Sequence, residues 1–110
     1  MALKHLTLEN YEREIENSKL PVVVDFYADW CGPCQMMAPV FESLSTEFKG
    51  KMNFLKLDTS EEEMLSVKFG VQGIPTLVFM NKGKEISRHV GYAPGQMLKS
   101  KISEVLKKIK

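Results

Sequence analysis

Runs that are apolar throughout alternate along this chain with stretches where apolar residues return every three or four positions. Pro21 opens the first continuous run, Val22-Val23-Val24-Asp25-Phe26-Tyr27-Ala28, β-branched and aromatic, the mark of a strand covered on both faces. Ahead of it, Leu8, Tyr11 and Ile15 recur at helical spacing between Thr7 and Asn17, with Thr7 placed as the N-cap. Behind it, Met37, Val40, Phe41, Leu44 and Phe48 predict the inner face of a helix from Gln35 to Lys49, kinked by Pro39 and ended by Gly50. Asn53 to Asp58 alternates apolar and polar residues and predicts a strand. Ser60 and Glu63 fit a capping box for a short helix, Glu61 to Phe69, closed by Gly70. Thr76 to Met80 predicts a strand, Asn81-Lys82-Gly83-Lys84 a hairpin loop, and Glu85 to Val90 the antiparallel return. Pro94 suits the first turn of a last helix, with Leu98, Ile102, Val105, Leu106 and Ile109 on one face and lysines on the other. With a short first strand near Leu3 to Leu6, the order predicts an α/β domain: a mixed sheet with helices on both faces.

Composition sharpens this mainly by exclusion. A length of 110 residues predicts a single domain over 1–110. Apolar residues at 44% and charged residues at 26% are globular values, and a net charge of +1 argues against nucleic acid or an anionic membrane as partner. The longest near-apolar run, Leu20 to Ala28, is broken by Asp25 and is too short to span a bilayer. Met1-Ala2-Leu3-Lys4-His5 does not read as a secretory start, so the cytoplasm, where thiols stay reduced, is the expected location. Met36, Met37, Met64 and Met97 stand at helical positions and read as core filler.

The 2 cysteines carry the chemistry. Trp30-Cys31-Gly32-Pro33-Cys34 lies between the buried strand and the helix. The strand end places Cys31 at the helix mouth, where amides and dipole favour its thiolate. Gly32 permits a tight turn, Pro33 pre-sets the helix start, and Cys34 falls within bonding reach. Cys31 is expected to be the exposed nucleophile and Cys34 the sheltered resolving thiol. A CxxC pair is also half of a tetrathiolate zinc site, but no second pair exists; His5 and His89 could complete one only by an accident of folding. No phosphate-cradling glycine loop occurs, so no bound cofactor is expected.

These residues resemble the thioredoxin family along essentially the whole chain. Trp30-Cys31-Gly32-Pro33-Cys34 looks like its active-site motif, Ile74-Pro75-Thr76 like its proline loop, Gly91 like the glycine after its last strand, and Pro39 like its helix-kinking proline. The resemblance implies a protein disulfide reductase with a thioredoxin fold, a central mixed sheet of four to five strands flanked by four helices. Gly-Pro between the cysteines goes with reducing members, whereas Gly-His goes with isomerases. It further implies a cis bond at Pro75, which would turn the Ile74 backbone toward an extended substrate segment. Trp30, Gly32, Pro33, Ile74, Pro75, Gly91 and Tyr92 are then expected to form an apolar collar around Cys31. Asp25, set in the most apolar strand, is expected to take the Cys34 proton, with Lys56 as its partner. The implied partners are disulfide-bearing proteins and a thioredoxin reductase, a flavoprotein using NADPH or a ferredoxin-linked enzyme. A monomer is expected.

Three positions depart from the family pattern. Gln35 replaces a common Lys or Arg, Ser60 stands where an aspartate often accepts a bond from the tryptophan indole, and Tyr92 replaces a small residue. Two rival readings remain: the same fold acting as oxidant or isomerase, and a non-catalytic module whose collar clamps a partner.

Overall fold

The computed structural model describes residues 3–109. Met1, Ala2 and Lys110 lie outside the described residues, and with them the outermost part of the terminal readings. Five strands, β1 (Lys4–His5), β2 (Val22–Tyr27), β3 (Asn53–Asp58), β4 (Thr76–Asn81) and β5 (Lys84–Val90), form one sheet in the order β1-β3-β2-β4-β5. β1, β3 and β2 run parallel; β4 is antiparallel to β2, and β5 to β4. Helices α1 (Gly32–Glu47), α2 (Glu63–Lys68) and α3 (Gly95–Ile109), with a short π-helical piece at Glu12–Glu16, flank the sheet. This is the expected thioredoxin fold, with mixed sheet and four helical segments.

β2 is central because its residues are apolar on both faces. Val23 packs with Met37, Phe41 and Leu44 of α1 and Leu98, Ile102 and Val105 of α3. Val22, Val24 and Phe26 pack on the opposite side with Ile15 and with Leu65 of α2. A parallel β2–α1–β3 crossover thus puts α1 on one face, with α2 on the other. The hairpin turns tightly at Lys82 and Gly83, both with positive φ (53° and 81°), as a two-residue loop demands.

Element ends differ from expectation where local bonds compete. α1 begins at Gly32 rather than Gln35, because Cys31 itself caps it and Pro33, lacking an N–H, costs nothing in the first turn. Thr7 and Asn10 cap each other reciprocally (Asn10 Oδ1 accepts from Thr7 N at 2.8 Å), yet the following chain closes as a π-turn, Asn17 N donating to Glu12 O at 2.9 Å. Leu8 is left exposed. The Ser60–Glu63 capping box does not form. Ser60 N donates to Asp58 Oδ1 instead, and α2 starts at Glu63 without a side-chain cap.

The methionines also correct the reading. Met37 is buried, but Met36, Met64 and Met97 are 62%, 72% and 51% exposed. Each of the three immediately precedes the residue that takes the buried stripe, Met37, Leu65 and Leu98, so it is rotated about 100° out of the core.

Phe41, fully buried with its ring 5.1 Å from that of Phe54, tests this core directly. Phe41→Ala should lower stability by about 3–5 kcal/mol in urea unfolding. Leu8→Ala, on the exposed turn, should stay within about 0.5 kcal/mol of the parent.

Candidate functional site

β2 ends at Tyr27 and delivers the chain to Cys31 through a turn in which Cys31 N donates to Ala28 O at 3.1 Å. Cys31 is extended (φ −89°, ψ 112°) and is the N-cap of α1, its Sγ accepting from Cys34 N at 3.2 Å. A disulfide joins Cys31 and Cys34, whose Cα atoms are 5.2 Å apart. Sulfur therefore occupies the place where a helix leaves amides unpaired and where its dipole favours negative charge.

The sequence led us to expect an exposed Cys31 beside a sheltered Cys34. Instead both are covered, at 5% and 3% exposure. The cause is packing: Ala28, Tyr27 and Ile74 close around the two sulfurs. Exposure passes to the neighbours, Trp30 at 75% and the adjoining Gly32 and Pro33. Trp30 is therefore not a core residue. Among the described residues Ser60 accepts no bond from its indole; the Ser60 backbone amide donates to Asp58 Oδ1. Gln35 turns its side-chain amide to Asp29 O.

The proline loop meets the cysteines from β4. The Ile74–Pro75 bond is cis, and Ile74 O lies 3.9 Å from Cys31 Sγ. Pro75 itself is buried, unlike the rest of the expected collar, and its carbonyl accepts from Gly91 N at 2.7 Å. That bond ties the β5 end, and with it the exposed Tyr92, to the same rim.

Asp25 is 1% exposed. Register places it in a row of residues on one sheet face: His5 on β1, Lys56 on β3, Asp25 on β2, Leu77 on β4 and His89 on β5. Asp25 Oδ1 has no hydrogen-bond partner among the described residues. Desolvation pushes its carboxyl up to about 7, with Lys56 opposing the rise. Lys56 is thus beside Asp25 as expected, but among the described residues the two form no contact ion pair. The Lys56 ammonium lies 4.6 Å from the centre of the Tyr27 ring instead. Tyr27 belongs to this group, and sequence reasoning missed it. The available signal was a tyrosine two positions beyond Asp25 on the same face of an apolar strand.

Among the described residues no group of three or more His, Cys, Asp or Glu side chains could hold a metal ion. None of the described helices is long and apolar enough to cross a membrane. A family profile described as Thioredoxin matches residues 2–104. The chain is 36% identical over 100 residues to a thioredoxin of Haemophilus influenzae, covering 91% of this chain and 94% of that protein. It is 39% identical to a thioredoxin of Alicyclobacillus acidocaldarius (92% and 95% covered). It is 40% identical to one of Staphylococcus saprophyticus (98% of both chains).

Asp25 makes stability depend on pH with a definite sign. An unfolded aspartate loses its proton near 3.8, whereas the folded chain holds this one to about 7. Across that window the folded state binds the extra proton, so stability falls as pH rises from about 4 to about 7 and is level above. Asp25→Asn, a neutral isostere, should stabilise the protein by a few kcal/mol at about pH 8 and by much less at about pH 4 in urea unfolding.

Proposed function

The chain belongs to the thioredoxin family and is a thiol–disulfide oxidoreductase, and from that premise we propose how its residues divide the work. The observation that carries the reading is the cysteine pair closed inside the first turn of α1, with a backbone amide on the Cys31 sulfur. A helix start of this kind lowers the energy of a thiolate at Cys31, so Cys31 is the nucleophile. Its thiolate attacks one sulfur of a substrate disulfide. A Cys31–substrate bond forms and the other substrate sulfur leaves as thiolate. Cys34 then gives its proton to the Asp25 carboxylate and attacks Cys31 Sγ. The second substrate thiolate departs, the substrate has gained two electrons, and the Cys31–Cys34 disulfide remains. Lys56 moderates the protonation of Asp25.

The substrate binds as an extended segment along the Ile74 backbone, beside Cys31 Sγ. Trp30, Gly32, Pro33, Gly91 and Tyr92 supply apolar contact around it, and Pro75 acts from beneath as the buried support of that rim. Main-chain pairing reads few side chains, so many disulfide proteins qualify. A thioredoxin reductase, a flavoprotein drawing on NADPH, returns the disulfide to the dithiol. The whole chain acts as one domain and a monomer, with a redox-active disulfide in place of a bound cofactor, in a reducing compartment, the cytoplasm.

The reduction potential of the Cys31–Cys34 couple, titrated against a thiol buffer, tests the direction of electron flow. A value below the glutathione poise is expected; one well above it would make the protein an oxidant or isomerase. Cys34→Ser should accumulate the Cys31–substrate mixed disulfide, visible by mass, whereas Cys31→Ser should form none. Asp25→Asn should slow disulfide reduction at least about tenfold near pH 8. An unchanged rate at every pH from about 6 to about 9 sinks the proton-acceptor role.

A further inference from the structure

Tyr27 contacts both the cysteine cluster and the lysine paired in register with the buried carboxylate. It follows Asp25 by two positions on β2 and so faces the same side of the sheet. It packs against the cluster of Ala28, Cys31 and Cys34. Its ring carries the Lys56 ammonium at 4.6 Å from its centre. Lys56 is paired in register with Asp25, which would let a free ammonium close on the carboxylate, yet Asp25 Oδ1 is without a partner among the described residues. The ring face offers the cation an alternative seat.

The geometry points to Tyr27 as a positioning residue: its ring holds the Lys56 ammonium off Asp25 and keeps that carboxyl able to hold a proton beside the cysteine pair. This rests on the proton role proposed above for Asp25. A direct Lys56–Asp25 ion pair would favour the carboxylate and lower its proton affinity. Without the ring, the cation loses this seat and the Asp25 carboxylate draws it closer. Other charged groups face this assembly. Asp29, Asp58 and Glu61 act on the Tyr27 ring from the β2 and β3 ends. His5 flanks Lys56 from β1, its ring 6.5 Å from that of Tyr27, and His89 lies beyond Leu77 on β5. On α1, Cys31 and Cys34 are the titratable groups packed against Tyr27, and in the disulfide neither titrates.

The test is the titration of the Asp25 carboxyl carbon by NMR in the oxidised protein. Tyr27→Phe keeps the ring and should leave the midpoint unchanged. Tyr27→Leu should lower it by about half a unit, the size a partly exposed cation–ring contact implies. Tyr27→Trp, a better cation seat, should move it upward. In a Lys56→Met background both shifts should vanish. Equal shifts in the presence and absence of Lys56 would overturn the inference, because the ring would then act by excluding water. So would a Leu-like shift in Tyr27→Phe, or no shift in the parent background. Should Tyr27→Leu fail to fold, the Phe and Trp variants with and without Lys56 decide alone. If instead Asp25→Asn leaves the pH profile of disulfide reduction unchanged, the proton role fails while this titration series still reads the Lys56 seat.

Discussion

Helix α1 starts on a sulfur atom, and the rest of the structure is arranged so that it can. Every α-helix leaves its first amides without partners, and a serine or aspartate usually supplies the acceptor. Here Cys31 Sγ takes the Cys34 amide, and the same atom is the one that must exchange electrons. The arrangement needs Cys31 in extended backbone, which follows from its place just after β2, and it needs a helix held firmly enough to keep the amide aimed. Phe41, Leu44 and Met37 hold it by packing against Val23, Phe54 and Leu77 of the sheet. The apolar core therefore serves the redox centre through the orientation of a single helical turn.

Asp25 works against that core. A buried carboxyl with an unpaired oxygen costs free energy that the same strand filled with valine would not lose. The sheet tolerates it because the remainder of β2 is apolar on both faces and its neighbours fill both layers. Burial raises the proton affinity of Asp25 into the neutral range, and Lys56 restrains the rise. Groups so perturbed beside reactive atoms generally have work to do there. The cost in stability and the raised proton affinity are one property seen twice.

Strands were the legible part of the fold. β3 matches its predicted limits, and β2, β4 and β5 fall within a residue of theirs, because alternation, β-branching and the Lys82-Gly83 turn are local signals. Helix starts were less legible, since they turn on which of several side chains wins a given amide. Asp58 took the Ser60 amide that the Glu63 side chain was expected to take, and Cys31 supplied the cap that moved α1 three residues earlier than expected. Helical rotation was misjudged at Met36, Met64 and Met97, where one position separates buried from exposed. At the site, the cysteines, Asp25 and the proline loop could be named from sequence and a family resemblance. The near-complete burial of Cys31, and the seat of Lys56 on Tyr27, could not. Each depends on contacts between segments distant in sequence, which no local pattern encodes.

The departures from the family pattern act together on how this site responds to pH. Gln35 brings no charge to the cysteine turn; its amide goes to Asp29 O. Ser60 is likewise uncharged. The favourable field at Cys31 therefore comes from the amides of α1, including the one on its sulfur, and amides do not titrate. In the disulfide form the cysteines do not titrate either, and burial with nearby carboxylates lifts the Tyr27 phenol to about 12. Asp25, at about 7, is a group of this assembly whose charge changes near neutrality. A helix field that ignores pH, set beside a carboxyl that does not, separates two properties: the amides favour negative charge at the sulfur across the working range, and Asp25 carries a charge that changes near pH 7.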